Sequence, residues 1–201
     1  MSKTLALFDF DGTISRKDSL FHFLAFIVPS PIYYLKIVKC LPTLLAFKLG
    51  RLSNSEAKQA LFSAFCKDMS LEAIEGNAAE YTKVKLPSIL RPKALEKLQW
   101  HRSQGHRILI VSASLEVWLK PWCTEINVEL IATKMECENG LVTGEFGSKN
   151  CHGQEKVNRI KAVLEIAQYT SIYAYGDSTG DTEMLALADI AEYKPFRQTP
   201  S

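Results

Sequence analysis

Residues 4–13, TLALFDFDGT, are the stretch that decides the fold. The apolar residues 4–8 predict a short buried strand that ends at two acids, Asp9 and Asp11. Since alternate residues of a strand face the same side, both carboxylates are expected to leave the strand together. Two like charges about 4 Å apart repel by roughly 4 kcal/mol at an effective dielectric near 20. A hard, oxygen-preferring cation such as Mg²⁺ would relieve that repulsion, whereas the alternative is a helix cap followed by a turn.

Two later stretches repeat this arrangement of an apolar run followed by small or acidic residues. Residues 108–111 (ILIV) are followed by Ser112, and residues 172–175 (IYAY) are followed by Gly176 and Asp177. Each run predicts a buried strand. Ligands of parallel sheets bind beyond the carboxyl ends of the strands, so the acids and Ser112 are expected at one shared edge.

The segments between these strands have different patterns. Residues 92–105 and 155–168 have helical spacing, and residues 133–146 predict a β-hairpin with Asn139 and Gly140 at its turn. Strands that alternate with helices indicate the α/β class. We therefore predict a doubly wound, mostly parallel sheet with a Rossmann-like core.

Residues 14–86 depart from the alternation because they contain no convincing strand. Within them, the apolar side chains of residues 56–66 recur at helical spacing. We predict that residues 14–86 form an all-helical cap inserted into a catalytic core made of residues 1–13 and 87–201.

The charge of the chain is nearly balanced, but it is unevenly distributed. The formal net charge is only +2, which argues against a nucleic-acid binder. The stretch 19–55 contains no acid, and its bases are Lys36, Lys39, Lys48 and Arg51. The five cysteines are an odd number without a C-x-x-C motif, which favours a reducing compartment and hence the cytoplasm.

The acid-free stretch 19–55 has two interpretations. Its aromatic and aliphatic side chains could enter a membrane interface while its lysines meet anionic headgroups, which would make the protein peripheral on the inner membrane face. The alternative is that these side chains form the core of the cap itself. The longest uncharged run, Ser19–Leu35, is too short for a spanning helix and contains two prolines.

A second set of charged groups follows the third strand. Asp177 and Asp181 lie four residues apart in a glycine-containing loop and could complete an octahedral Mg²⁺ site, although Asp181 could also simply cap a helix. The hydroxyl of Ser112 and the ammonium of Lys156 could hold a phosphate. A lone serine is more often a cap, however, and a lone lysine more often a surface charge.

Taken in order, DxDGT, a strand-end serine, a later lysine and GDxxxD resemble the four motifs of the haloacid dehalogenase superfamily. A helical insertion after the first motif is typical of its phosphoserine-phosphatase-like branch. The resemblance implies a phosphatase in which Asp9 is the nucleophile and forms an aspartyl-phosphate. Asp11 would then be the general acid and base.

The same resemblance implies roles for the remaining motif residues. Mg²⁺ would be held by Asp9, the carbonyl of Asp11 and Asp177, with Asp181 in support. Ser112 and Lys156 would bind the transferring phosphoryl group. Asp18 is a candidate for binding substrate from the cap, because phosphoserine phosphatases have an acid shortly after the first motif.

The substrate depends on the cap. Residues 52–66 contain Lys58 but lack the arginine that phosphoserine phosphatases use. The chain is more similar to a sibling branch that includes bacterial phosphatidylglycerophosphatase C. The similar stretches are residues 11–24, the apolar segment with Leu41-Pro42 and the later Gly50-Arg51, residues 100–114 and residues 151–157. This implies a glycerophospholipid-type phosphate such as phosphatidylglycerophosphate. The alternatives are phosphoserine or another small ester, phosphoryl transfer to another acceptor, and an idle lipid- or partner-binding module.

Overall fold

Five parallel strands form the central sheet of the computed structural model, which describes residues 3–197. They lie in the order β3-β2-β1-β6-β7, and every neighbouring pair is parallel. The predicted α/β class and parallel sheet are thereby confirmed. The strands are β1 (Thr4–Phe8), β2 (Arg107–Leu115), β3 (Glu129–Thr133), β6 (Ser171–Gly176) and β7 (Ile190–Tyr193).

The central strand β1 is buried on both faces. Ala6 and Phe8 belong to one hydrophobic cluster, and Leu5 and Leu7 belong to a second cluster on the other face. All four side chains are fully buried. This two-sided burial explains why β1 is a continuous apolar run rather than an alternating one, as is typical of parallel sheets.

Eight α-helices occur within residues 3–197, and the first four lie between β1 and α5. Buried side chains of α1, α3 and α4, among them Phe23, Phe62 and Tyr81, join the same cluster as Phe8 of the sheet. The division into cap and core stays a prediction. The helices are α1 (Ser19–Ile27), α2 (Ser30–Lys48), α3 (Asn54–Cys66), α4 (Leu71–Val84), α5 (Pro92–Ser103), α6 (Glu116–Glu125), α7 (Gln154–Val163) and α8 (Thr182–Leu185).

None of the helices in residues 3–197 has the length and the apolar character needed to cross a membrane.

The predicted hairpin is confirmed as β4 (Met135–Glu138) and β5 (Leu141–Phe146), which pair antiparallel. Asn139 and Gly140 at its turn have φ angles of 50° and 78°, as a two-residue turn with positive φ at both positions requires. The hairpin packs on α3, where the rings of Phe62 and Phe146 lie 6.3 Å apart.

Two predicted boundaries were wrong. The helix predicted over 155–168 ends at Val163, because Leu164 has extended backbone (φ −132°, ψ 134°) and packs its side chain into the second cluster. Strand β2 continues past Ser112 to Leu115 instead of ending there. Ser112 therefore lies within the strand.

Candidate active site

The carboxyl ends of β1 and β6 bring three of the predicted metal ligands together. Asp9 directly follows β1, and its backbone N–H donates to the carbonyl of Tyr175 on β6 over 2.9 Å. Asp177 and Asp181 follow β6. Carboxylate oxygens of Asp9, Asp177 and Asp181 all lie within 4.8 Å of one another. Their proximity follows from the pairing of β1 with β6, which the strand-end prediction anticipated.

Lys156 of α7 supplies a buried cation to this cluster. Its Nζ donates to Oδ1 of Asp9 over 2.6 Å and to Oδ1 of Asp181 over 2.7 Å. A third bond, of 2.8 Å, goes to the carbonyl of Val111 on β2. Burial alone would lower the pKa of Lys156, but the two carboxylates outweigh it and raise the pKa above its usual range. The ammonium is therefore charged, and it bridges the two acids and offsets the repulsion between them.

The two acids that share Lys156 have shifted pKa values of opposite direction. Burial, with added repulsion from Asp181 and Asp11, raises the pKa of Asp9 to about 7 although Lys156 opposes the shift. Burial also acts to raise the pKa of Asp181, but Lys156 and loop donors hold it below its usual value. Oδ2 of Asp181 accepts the backbone N–H groups of Asp177 (3.1 Å) and Ser178 (3.0 Å). Asp181 thus organises the loop as well as pairing with Lys156.

The carboxylate of Asp11 is held by a chain of hydroxyl groups outside this cluster. Its Oδ1 accepts the backbone N–H of Ser19 over 2.7 Å, and its Oδ2 accepts the hydroxyl of Ser114. The hydroxyls of Ser19 and Ser114 lie 2.9 Å apart, and Nε1 of Trp118 donates to the former over 3.1 Å. Sequence reasoning missed Ser19 and Ser114, because the only signal was their position beside the first and second motifs.

Ser112 is fully buried, and its hydroxyl accepts the backbone N–H of Ser114 over 3.0 Å. A pocket opens at the strand ends beside Asp9 and Lys156. The neighbouring Ala113 lines this pocket, and Ser112 does not. The phosphate-binding role of Ser112 therefore stays a prediction, and the observed contact is with the backbone of its own strand.

The pocket at the strand ends has a volume of about 290 Å³. Asp9, Asp11 and Lys156 line it on the sheet side, and Asn54 and Lys58 line it from α3. Asn54 was missed by the sequence analysis, because one amide at a helix start gives no distinctive pattern.

The predicted cap candidate Asp18 also lines the pocket. It caps α1 by accepting the backbone N–H groups of Leu20 (2.9 Å) and Phe21 (3.4 Å). Burial and the nearby charge of Asp11 raise the pKa of Asp18 to about 6, while Lys58 opposes the shift. Asp18 therefore combines a structural contact with access to the pocket.

The carboxylate of Asp177 lies between the backbone of Gly12 and the guanidinium of Arg197. Gly12 has a φ of 83°, and a Cβ placed on it would lie 2.3 Å from Oδ2 of Asp177. The same oxygen accepts Nη2 of Arg197 over 2.7 Å. A side chain at position 12 would displace Asp177, so glycine is required here for both conformation and space.

The donor set fits a divalent cation. Asp9, Asp177 and Asp181 offer carboxylate oxygens, which are the ligands that Mg²⁺ prefers. Three carboxylates against the buried ammonium of Lys156 and the exposed guanidinium of Arg197 leave one excess negative charge. A small hard cation would neutralise that excess.

Comparison with known proteins places this arrangement in a family. The haloacid dehalogenase-like hydrolase family matches residues 6–186. Protein CicA of Caulobacter vibrioides is 34% identical over 199 residues, which cover 98% of this chain and 88% of that protein.

Two solved structures share the fold. A protein of unknown function from Bordetella pertussis Tohama I superposes with a TM-score of 0.80 at 21% identity, over 95% of this chain and 89% of that one. A phosphoserine phosphatase solved as an analogue of its phospho-aspartyl intermediate superposes with a TM-score of 0.68 at 18% identity, over 95% and 86%. The family match and the strand-end cluster agree, and the chain belongs to the haloacid dehalogenase-like hydrolases.

Proposed function

We propose that this protein is a Mg²⁺-dependent phosphomonoester hydrolase that acts through an aspartyl-phosphate on Asp9. The observation that carries the proposal is the position of the Asp9 carboxylate, 2.6 Å from the ammonium of Lys156 and within 4.8 Å of carboxylates from Asp177 and Asp181. Phosphoryl transfer depends mainly on positioning and on neutralisation of charge. This cluster supplies a nucleophile, a fixed cation and oxygen ligands for a second cation.

The chain's own residues account for both half-reactions. A carboxylate oxygen of Asp9 bonds to phosphorus while the bond to the ester oxygen breaks, and Asp11 donates a proton to the leaving oxygen. Asp11 then takes a proton from the water that attacks phosphorus, which releases phosphate and restores the Asp9 carboxylate. Mg²⁺ held by Asp9 and Asp177, with Asp181 in support, would neutralise charge on the phosphate. The bonds from Ser19 and Ser114 orient Asp11 for both proton transfers.

Our preferred substrate is a glycerophospholipid-type phosphate such as phosphatidylglycerophosphate, used at the cytoplasmic face of a membrane. The pocket of about 290 Å³ has room for a polar headgroup. The apolar crevice beside it, lined by Leu20, Phe62 and Trp118 among others, has only about 10 Å³ of free volume. A lipid would therefore bind by its headgroup while its acyl chains remain in the membrane.

Phosphoserine or another small ester is the alternative substrate. Asp18 and Lys58, both in the pocket, offer an anion and a cation that could pair with an ammonium and a carboxylate. This arrangement has the charges that a small zwitterionic ester requires.

The reaction is tested by hydrolysis of an aryl phosphate by the wild type and by Asp9→Asn, with Mg²⁺ and with EDTA. We expect Asp9→Asn to lose at least about a thousandfold in kcat/KM, and EDTA to abolish turnover until Mg²⁺ is restored. Asp68→Asn is the matched control, because Asp68 is exposed and has a φ of 65° that asparagine accepts. Equal turnover by Asp9→Asn and the wild type would refute the nucleophile.

The substrate is tested by comparing kcat/KM for phosphatidylglycerophosphate and lysophosphatidate with kcat/KM for phosphoserine and sugar phosphates. A higher value for the two lipid phosphates supports our preference. A higher value for phosphoserine contradicts it, and turnover of none of these esters favours an idle binding module.

A further inference from the structure

The solvent-facing side of α2 is apolar. Six large apolar side chains on it are between 51% and 66% exposed. Apart from two adjacent residues at its start, they recur every three or four residues, so they form one stripe about 120° wide along the helix. We call this stripe the α2 outer surface; its members are Tyr34, Leu35, Val38, Leu41, Leu45 and Leu49, which directly follows the helix.

The opposite side of α2 already anchors the helix to the protein. Tyr33, Ile37 and Leu44 pack against the hydrophobic core, and Cys40 between them is buried. A surface helix normally has polar residues opposite its buried stripe, and a helix that is apolar all round is normally buried. The α2 outer surface is therefore not needed to attach the helix, and it has the character of a surface that contacts something else.

Basic residues flank the α2 outer surface, and acids are absent. Lys39 and Lys48 are exposed, and at 100° per residue they project on opposite sides of the apolar stripe. Residues 19–55 contain no Asp or Glu, and Arg51 follows the helix. A continuous apolar stripe between basic borders matches a helix lying in an anionic lipid interface.

One lysine of this segment has a different task. Nζ of Lys36 donates to the carbonyl of Ala64 over 2.8 Å and lies 5.2 Å from the ring centre of Phe65. It therefore ties α2 to the end of α3. The expectation that the lysines of residues 19–55 are free for headgroups is wrong for Lys36, and only Lys39, Lys48 and Arg51 remain available.

We infer that the α2 outer surface docks on an anionic membrane, with its apolar side chains in the interface and its flanking lysines on the headgroups. A second copy of the chain is the less suitable occupant, because a two-fold contact along α2 would place this basic segment against an identical one, and residues 19–55 offer no acid to pair with Lys39 or Lys48. Anionic lipid supplies the opposite charge. This docking does not depend on the proposed hydrolysis.

The position of α3 links this surface to the pocket. One side of α3 contacts α2 through Ala64 and Phe65, and its first turns place Asn54 and Lys58 in the pocket wall. Docking would thus hold the pocket one helix away from the lipid surface.

The inference is tested by co-sedimentation of the full chain with vesicles of phosphatidylcholine containing 30% phosphatidylglycerol, compared with vesicles of phosphatidylcholine alone. We expect binding to the anionic vesicles that weakens as salt is raised. Lys39→Glu with Lys48→Glu should reduce partitioning at least about tenfold. Val38→Gln with Leu45→Gln should reduce it to a similar extent, because the apolar contact is lost.

Each double variant has a matched control elsewhere on the surface. Lys93→Glu with Lys161→Glu makes the same change in net charge at exposed lysines of α5 and α7, and Leu95→Gln with Val163→Gln removes the same two exposed residue types from those helices. Both controls should bind like the wild type. Absence of vesicle binding, or equal loss in variants and controls, overturns the inference. A dimer in sedimentation equilibrium that Val38→Gln with Leu45→Gln dissociates, without vesicle binding, overturns it in favour of a second copy.

Discussion

The pocket and the α2 outer surface depart from the usual distribution of side chains in opposite directions. At the strand ends, charged groups are buried: Asp181 and Lys156 are each 1% exposed. On α2, apolar groups are exposed, with Tyr34 at 66%. Both arrangements are unfavourable in an isolated protein, because charges lose hydration and apolar surface stays in water.

The two regions differ in how much of this cost the protein itself offsets. In the pocket, Lys156 pairs with two of the buried acids, and only a residual negative charge awaits a cation. On α2, none of the described residues 3–197 covers the stripe. The pocket is thus largely preformed, whereas the α2 outer surface stays open to solvent within residues 3–197.

Lys156→Met should have the largest effect, because it leaves two buried carboxylates facing each other without their shared cation. We expect the free energy of unfolding to fall by about 3–5 kcal/mol, with loss of hydrolysis. Urea denaturation measures the first and aryl phosphate turnover the second. Lys161→Met on the exposed side of the same helix is the control and should stay within about 0.5 kcal/mol of wild type. A stable and active Lys156→Met variant would contradict the role of Lys156 in offsetting the charge of the two buried acids.

Substitutions at two neighbouring residues of α2 compare the buried side of the helix with its exposed side. Ile37→Ala should lower the free energy of unfolding by about 1–2 kcal/mol, because Ile37 packs against the core. Val38→Ala, at a position 58% exposed, should change it by less than about 0.5 kcal/mol. Urea denaturation of both variants without lipid measures the difference. Similar losses in the two would mean that the outer surface is packed within the protein.

Ser114→Ala should reduce kcat by about tenfold while KM changes little, because Asp11 loses a hydroxyl that orients it for proton transfer. Steady-state kinetics on an aryl phosphate gives both constants. Ser103→Ala on α5 is the control, because the hydroxyl of Ser103 is exposed, donates to the carbonyl of Trp100 and accepts Nε2 of Gln104, away from the pocket. An unchanged kcat for Ser114→Ala would show that Asp11 is held adequately by the N–H of Ser19.

The smallest expected effect at neutral pH is the change in stability on replacing His101, a buried histidine away from the pocket. Burial, with weaker repulsion from His106 and Lys97, lowers the pKa of His101 to about 3, and its Nε2 lies 2.9 Å from the hydroxyl of Tyr175. In the unfolded chain the imidazole takes up a proton near pH 6.5, whereas in the folded protein it stays neutral down to about pH 3. The contribution of His101 to the free energy of unfolding is therefore complete above about pH 6.5. It decreases as the pH falls from about 6.5 towards 3.

Urea denaturation of the wild type and of His101→Gln across this pH range tests the histidine. The wild type should lose more stability on acidification than the variant does. Equal slopes would mean that His101 is not the group responsible.

Strong local patterns predicted the centre of the sheet correctly. The apolar runs of β1, β2 and β6 are buried, and the Asn139-Gly140 turn has the backbone that its residues favour. The edge strands β3 and β7 were not predicted, because each is short and partly exposed, and β7 has Glu192 in its apolar run. Helix α7 was predicted too long, because Leu164 continues the apolar period in sequence while its backbone is extended.

The sequence predicted those residues of the candidate site that lie directly after the ends of strands. Asp9, Asp177 and Asp181 meet because β1 and β6 are neighbours, and order along the chain indicated their motifs. The sequence pattern does not specify the side-chain directions within β2. The bond from the Ser114 hydroxyl to Asp11, and the bond from the Ser114 N–H to the hydroxyl of Ser112, depend on those directions. Likewise, only the packing of α2 on α3 distinguishes Lys36 from Lys39.

The central position of β1 also constrains how the protein is synthesised. Lys156 follows Asp9 by 147 residues, which a ribosome translating about 5–20 residues per second needs roughly 7–30 s to add. During that time β1 lacks its neighbour β6, and its two-sided apolar run has no complete cover. Until β6 and its loop emerge, the nascent chain therefore lacks both the strand that pairs with β1 and the acids that meet Asp9 at the strand ends.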